Sequence, residues 1–190
     1  ITHSTVFNVA WGLLLSFLTQ SDDVSFAYTT SLRDAPVEGI DAMIGPVMNL
    51  NVCRIKLGSS DTRATLFDVL QRTQDDFTES LPHRACSLID VLHEMKMSNT
   101  PLFNSGVSYR KLPPQTKEAG VGSVEFVQKG FIHDPAETAV YVNVEASDNS
   151  ATIELNHWTE CLSEEQADLI AKLYVEKIED VIRDSEKQQI

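Results

Sequence analysis

The sequence predicts an α/β fold in which helices pack against a mixed β-sheet. Two observations predict it. Short segments rich in β-branched and aromatic residues alternate with segments of helical periodicity, and the chain opens with an apolar helix and closes with a capped amphipathic one. We expect crossover connections early in the chain, then a run of antiparallel strands, and last the closing helix. The 190 residues suffice for one domain with one hydrophobic core.

The first half of the chain is predicted to contain two strands and three helices. The opening helix begins near Thr2 or Ser4, whose hydroxyls can cap backbone N–H groups, and its apolar run at 6–18 predicts deep burial. After it we expect a strand at 24–30, a loop at 33–46, a strand at 51–57 and a helix at 65–79. Pro82 ends that helix. A short helix follows with four inward apolar side chains, namely Leu88, Val91, Leu92 and Met95.

The second half is predicted to be mainly strands, followed by one long helix. Strands are expected at 103–110, 121–127, 139–145 and 151–158. The Asp148-Asn149 pair is a turn signal, so the last two strands should form a hairpin. Ser163 and Gln166 form a capping box, and the apolar residues behind it keep helical spacing as far as Val181.

The composition argues against several kinds of partner. The chain has 28 acidic against 15 basic residues and a formal net charge of −13, so a phosphate backbone or an anionic membrane would be repelled. We therefore expect no nucleic-acid and no membrane partner. The three cysteines are few and odd in number, which is typical of a reducing compartment, so a cytoplasmic location is expected. The apolar run at 6–18 is too short to span a bilayer.

The strand at 103–110 carries the candidate substrate-contacting residues. Side chains alternate between the two faces of a strand, and one face here collects polar or small residues, namely Asn104, Gly106, Ser108 and Arg110. Ser105, Val107 and Tyr109 share the other face. The first face could line a solvent-filled channel that admits a bulky substrate. An ordinary solvent-facing side of a sheet explains the same pattern equally well.

Three polar residues near the first two strands are predicted to be structural. Arg33 and Arg54 are expected to form ion pairs, given the neighbouring Asp34 and the surplus of acidic residues. Asn49 is expected to hydrogen-bond backbone at the turn before its strand.

No catalytic residue and no metal site is predicted. His83 and Cys86 could form a thiolate–imidazole pair or half of a metal site, but no second ligand pair follows at suitable spacing. His133 precedes an Asp-Pro turn, and His157 is expected at a packed strand edge. The HExxH, GxSxG and CxxC motifs and Gly-rich phosphate loops are absent, which argues against zinc peptidases, common hydrolases, redox dithiols and nucleotide-phosphate binding.

Several short segments together resemble the condensation domains of nonribosomal peptide synthetases. Residues 31–34 and 44–54 are similar to the family's "GR-D…iGp-N-lp-R" signature, and residues 22–27 to its "qdDVvFG". Residues 81–88, 102–105 and 134–137 are similar to fungal versions of later motifs. The chain departs from the pattern at Leu32, where glycine commonly precedes the arginine, and at 50–53, where the usual "T-l-P-l" is replaced.

The resemblance implies a chloramphenicol-acetyltransferase-like fold of two similar lobes with a tunnel between them. Carrier-bound donor and acceptor thioesters are joined in that tunnel into an amide or ester, or the peptide is cyclised in a terminal domain. The family's catalytic HHxxxDG motif belongs to the N-terminal lobe and does not occur in these residues. The chain also lacks an initiator methionine. We therefore expect residues 1–190 to form the C-terminal lobe, inactive alone, with a bridge to the other lobe at 120–134.

The resemblance also implies the partners. They are the N-terminal lobe and peptidyl carrier proteins, whose phosphopantetheine arms carry the substrates, and no cofactor is bound directly. Two alternatives stay open. One is the lobe of a CoA-dependent acyltransferase of the same fold, although the DFGWG motif common in those enzymes is absent. The other is a noncatalytic docking lobe.

Overall fold

The computed structural model describes residues 1–58, 65–97, 102–112 and 138–187. Within these ranges the chain forms four α-helices and five β-strands, in the order α1 (His3–Thr19), β1 (Asp23–Ser31), β2 (Met48–Lys56), α2 (Leu66–Ser80), α3 (Leu88–Glu94), β3 (Ser105–Lys111), β4 (Val140–Ala146), β5 (Ala151–His157) and α4 (Glu164–Lys187). A 3₁₀ turn at Leu81–His83 directly follows α2. The predicted α/β class is confirmed.

The sheet is mixed, with strand order β2-β1-β3-β4-β5. The pairs β1–β2 and β4–β5 are antiparallel, whereas β1–β3 and β3–β4 are parallel. The expected hairpin of the last two strands is therefore confirmed. The expected order of connections was wrong for the described strands, because an antiparallel pair comes first and the parallel strands follow. Periodicity predicts the type of each element, but it carries no information on which strands become neighbours.

Helices α1, α2 and α4 pack against one face of the sheet and enclose the core. The indole of Trp11 meets the ring of Tyr174 edge-on, with centroids 5.3 Å apart. Its Nε1–H donates a 3.3 Å hydrogen bond to Ser105 Oγ of β3. The Tyr174 hydroxyl donates to the Phe7 carbonyl at 3.1 Å. These contacts join α1, α4 and β3, so the polar atoms of both large rings are paired inside the core.

Side chains cap the starts of three helices, and the caps of α1 and α4 were predicted. Thr2 Oγ1 accepts from the Thr5 N–H at the start of α1. Thr65 and Asp68 form a reciprocal capping box at the start of α2. Before α4, the Ser163 N–H donates to Gln166 Oε1 at 2.9 Å, and the Gln166 N–H donates to Ser163 Oγ at 3.3 Å. Each cap satisfies N–H groups that have no partner within the helix.

Two local expectations were wrong. Strand β2 begins at Met48, three residues before the predicted start, because Asn49 already pairs with Thr30 of β1. Met95 is 53% exposed rather than inward, and α3 has no buried residue. The predicted strand at 121–127, the expected bridge at 120–134 and His133 lie outside the described residues. Among the described helices, none is both long and apolar enough to cross a membrane.

Candidate functional site

The sheet face opposite the helices is the candidate site, and we call it the open face. Its side chains belong to the odd-numbered residues of β1 and β4 and the even-numbered residues of β2, β3 and β5, as strand register and alternation require. The helix-facing set includes the buried Phe26, Ile55, Val107, Val142 and Val144. Most residues of the open face are exposed or half-buried, so none of the described helices covers it.

The alternation predicted for β3 is confirmed. Val107 is 1% exposed in the core, and the ring of Tyr109 stacks on Phe7 with centroids 5.5 Å apart. Ser108 and Arg110 lie on the open face, where Ser108 pairs in register with Asn143 of β4. Asn104 is exposed and lies one residue before the strand, and its carbonyl accepts from the Val140 N–H at 3.2 Å.

Gly106 differs from the other candidates because it is buried. A Cβ at this position would lie 2.6 Å from Cε2 of Tyr141, the residue beside it on β4. The Tyr141 hydroxyl forms a 2.7 Å hydrogen bond with Thr29 Oγ1 of β1. The surface at this point is therefore made by Tyr141 rather than by Gly106. No motif in the sequence indicates Tyr141, because only the parallel pairing of β3 with β4 brings its ring over the glycine.

Ion pairs lie on both sides of the uncharged part of the open face around Gly106 and Tyr141. Arg54 of β2 donates to both carboxylate oxygens of Asp23, at 2.8 and 2.6 Å, and this hydrogen bonding lowers the pKa of Asp23. Arg110 of β3 pairs with Glu145 of β4. The structural ion pair predicted for Arg54 is thus present, with Asp23 as its acidic partner. Between the two pairs the open face presents hydroxyl and amide groups, notably those of Ser108 and Asn143.

Arg33 does not form the predicted ion pair. Its guanidinium donates to the carbonyls of Met43 at 2.8 Å, Gly45 at 3.0 Å and Ile40 at 3.4 Å, so it organises the loop between β1 and β2. Asp34 instead accepts from Arg84 at 2.5 Å, and this hydrogen bond lowers the pKa of Asp34. The prediction failed because the loop folds back and its carbonyls converge on the guanidinium.

Asn49 hydrogen-bonds backbone, as predicted, but its partners are distant in sequence. It lies within β2 rather than at a turn, and its Nδ2 donates to the carbonyls of Arg84 at 2.7 Å and Cys86 at 2.8 Å. Together with the Asp34–Arg84 pair, Asn49 fixes the segment after α2 against the start of β2.

The described histidines and cysteines show no catalytic arrangement. His83 and Cys86 are joined through backbone, where the Cys86 N–H donates to the His83 carbonyl at 2.9 Å. The His157 ring is mostly buried, with Nε2 3.8 Å from a Glu164 carboxylate oxygen. Burial raises the pKa of the Cys53 thiol to about 12. In the ranges that the structure describes, no group of three or more His, Cys, Asp or Glu residues could hold a metal ion.

A mixed sheet with helices on one face and a polar opposite face defines the class of fold, and the family follows from comparison with known proteins. The family profile described as "Condensation domain" matches residues 1–189. This chain therefore belongs to the condensation domain family.

Curated relatives of this chain are fungal peptide synthetases. It is 48% identical over 182 residues to nonribosomal peptide synthetase 1 of Aspergillus fumigatus, covering 96% of this chain and 3% of that protein. It is 41% identical over 188 residues to nonribosomal peptide synthetase nlsA of Emericella nidulans, covering 99% of this chain and 3% of that protein. The chain thus spans only a few per cent of the length of the curated relatives it matches.

Solved condensation domains share the fold. The starter condensation domain of rhizomide synthetase superposes with a TM-score of 0.72 at 15% identity, over 95% of this chain and 42% of that one. The predicted chloramphenicol-acetyltransferase-like fold is confirmed. The matched part is less than half of that solved chain.

Proposed function

We propose that this chain is the C-terminal lobe of a nonribosomal peptide synthetase condensation domain, and that its open face is one wall of the substrate tunnel. The single observation that carries the proposal is a polar sheet face that no described helix covers, in a chain that matches 42% of a solved condensation domain. The remainder of such a domain is large enough to supply a second lobe against this face.

The physical argument starts from the parallel strands. Sheets with parallel strands are normally covered on both faces, whereas the parallel pairs β1–β3 and β3–β4 have helices on one face alone among the described elements. Met48 and Val52 on the open face are 58% and 38% exposed, and apolar side chains of this size gain free energy when a partner buries them. Ser108 and Asn143 are only half-buried and neutral. Both features are explained by a partner lobe that buries the apolar side chains on the edge strand β2 and leaves a solvated gap over the neutral side chains of β3 and β4.

The reaction in that gap is acyl transfer between carrier-bound substrates. The amine or hydroxyl of the acceptor attacks the donor thioester carbonyl, a C–N or C–O bond forms, the C–S bond breaks, and the proton of the nucleophile ends on the released thiol. In a terminal domain the nucleophile belongs to the donor peptide, and the product is a macrocycle. The phosphopantetheine arms of peptidyl carrier proteins bring the thioesters. No HHxxxDG motif occurs in the chain, so the N-terminal lobe provides the catalytic base.

This lobe therefore positions the substrates and supplies no catalytic base. Asn104, Ser108 and Arg110 contribute to the tunnel wall, and the ion pair of Arg110 with Glu145 removes a free cation from it. The hydroxyl and amide groups of the open face can hydrogen-bond the amides of a peptidyl or pantetheine chain without binding an anion. Arg33, Asn49 and Arg54 hold the strands and the loop that frame the face.

The test compares single tryptophan substitutions in the complete condensation domain. Ser108→Trp should abolish or strongly reduce condensation while the domain stays folded, because the indole would fill the gap. Leu169→Trp, at a 56% exposed position on α4, is the matched control and should retain wild-type turnover. The 190-residue chain alone should show no turnover. Unchanged rates in the Ser108→Trp domain, or condensation by the isolated chain, would contradict the proposal.

A further inference from the structure

We propose that Tyr141 determines which substrates pass along the open face, by limiting the bulk of the aminoacyl or peptidyl group of a carrier-bound thioester. This inference rests on the function proposed above, because it requires the open face to be a tunnel wall. It adds a specificity-determining residue that the motifs in the sequence do not contain.

The position of the Tyr141 side chain is unusual because it crosses a neighbouring strand. The residue belongs to β4, its ring lies over Gly106 of β3, and its hydroxyl meets Thr29 Oγ1 of β1 at 2.7 Å. Three adjacent strands are thus linked by one aromatic side chain on the open face. The ring therefore lies across the strands and forms a raised part of the surface that a substrate would contact.

Two small residues create the space in which the ring lies. A Cβ at position 106 would lie 2.6 and 2.8 Å from Cε2 and Cδ2 of Tyr141, closer than carbon atoms pack without repulsion. The same Cβ would lie 3.2 Å from Cβ of Ala27 on β1. Glycine at 106 therefore sets how close the ring comes to the sheet, and the Thr29 hydroxyl sets its direction.

The residues beside the ring indicate which kind of substrate the open face would accept. Ser108 and Asn143 follow Gly106 and Tyr141 on the same face, two residues further along each strand, and both are neutral hydrogen-bonding groups. A neutral, amide-containing chain fits this surface. Truncation of Tyr141 would expose the small residues beneath it and deepen the face by about the thickness of a ring, roughly 3.5–4.0 Å. This added depth would admit a bulky substrate side chain where the wild-type face admits only a small one.

The experiment measures substrate choice in the complete condensation domain with its carrier proteins. Paired assays use an alanyl and a tryptophanyl group on the donor thioester, and separately on the acceptor, and give the ratio of kcat/KM for the bulky over the small substrate. In Tyr141→Ala this ratio should rise at least about tenfold for one of the two substrates. In Tyr141→Phe it should stay within about twofold, because the ring remains.

A matched control separates the opening of the face from the loss of a tyrosine. Tyr109 is on the neighbouring strand β3, but its ring stacks on Phe7 on the helix side. Tyr109→Ala should leave the bulky-to-small ratio unchanged, even if the domain becomes less stable. An equal rise in both alanine variants would overturn the inference.

Thermal unfolding of the complete domain tests the packing without any activity. Gly106→Ala should lower Tm in the wild-type background and lower it much less in the Tyr141→Ala background, because the clash with the ring is then gone. An equal fall in Tm in the two backgrounds would contradict the close contact between position 106 and the Tyr141 ring. An active wild-type domain with an unchanged ratio in Tyr141→Ala overturns this inference alone. A correctly folded wild-type domain without condensation activity overturns the proposed function, and this inference with it.

Discussion

The alternation of β3 makes a quantitative prediction for two serines on opposite faces of the strand. Ser105 is 3% exposed, and its Oγ accepts the hydrogen bond of the Trp11 indole in the core. Ser105→Ala leaves a buried N–H without a partner, which costs about 1–3 kcal/mol. The 3.3 Å donor–acceptor distance places the expected loss in the lower half of that range, about 1–2 kcal/mol. Ser108 lies half-buried on the open face, so Ser108→Ala should change stability by less than about 0.5 kcal/mol.

Urea titration of the chain, followed by tryptophan fluorescence, gives both free energies of unfolding on one scale. In a thermal scan, a loss of about 1–2 kcal/mol in a chain of this size corresponds to a fall in Tm of about 2–8 °C for Ser105→Ala. The two variants delete the same single oxygen from the same strand, so each controls for the other. An equal loss in both, or a larger loss in Ser108→Ala, would refute the assignment of faces on which the candidate site depends.

Two further predictions concern the cysteines and the acid stability of the loop between β1 and β2. A thiol-specific reagent at neutral pH should label the exposed Cys86 and Cys161 in the native chain and Cys53 only after unfolding, because burial raises the pKa of the Cys53 thiol to about 12. Rapid native labelling of Cys53 would contradict its burial between β2 and the helices. Arg84 lowers the pKa of Asp34 below its ordinary value of 3.8, so their pair stabilises the fold above that pH and its contribution is lost as the pH falls through the lowered value. The difference in Tm between wild type and Arg84→Gln should therefore be constant near neutral pH and shrink on acidification below about pH 4; a difference that does not change with pH would argue against the pair.

The sequence predicted the local structure of the described residues with few errors. The caps at Thr2 and Ser163 and the hairpin of β4 with β5 depend on interactions between residues close in the chain. Such interactions require particular residue types at short, fixed spacings, so the sequence alone indicates them. One error was the start of β2, which begins at Met48, and another was Met95 directly after α3, which is exposed although its spacing fits an inward stripe. Periodicity identifies the apolar side of a helix, but it does not determine how deeply each residue on that side is buried.

The candidate site was predicted only in part. The shared face of Ser108 and Arg110 followed from the period of a strand, and the structure places both on the open face. The importance of Gly106 lies in a contact with Tyr141 that no local pattern indicates. Arg33 was expected to pair with the adjacent Asp34, yet it binds loop carbonyls, and Arg84 binds the aspartate. Proximity in sequence is a poor guide to the partner of a long side chain, because its charged end reaches several residues away.

The sequence by itself determined the α/β class, the type of the described elements, the two faces of β3 and the resemblance to condensation domains. These properties follow from backbone propensity and side-chain periodicity, which act over a few residues. The tertiary structure alone decided the strand order and the parallel pairing of β3 with β4. These in turn place the Tyr141 ring over Gly106 and bring its hydroxyl to Thr29, which is 112 positions away in the sequence. Strand neighbours are chosen by the burial of whole faces against the helices, and this choice depends on the entire chain at once.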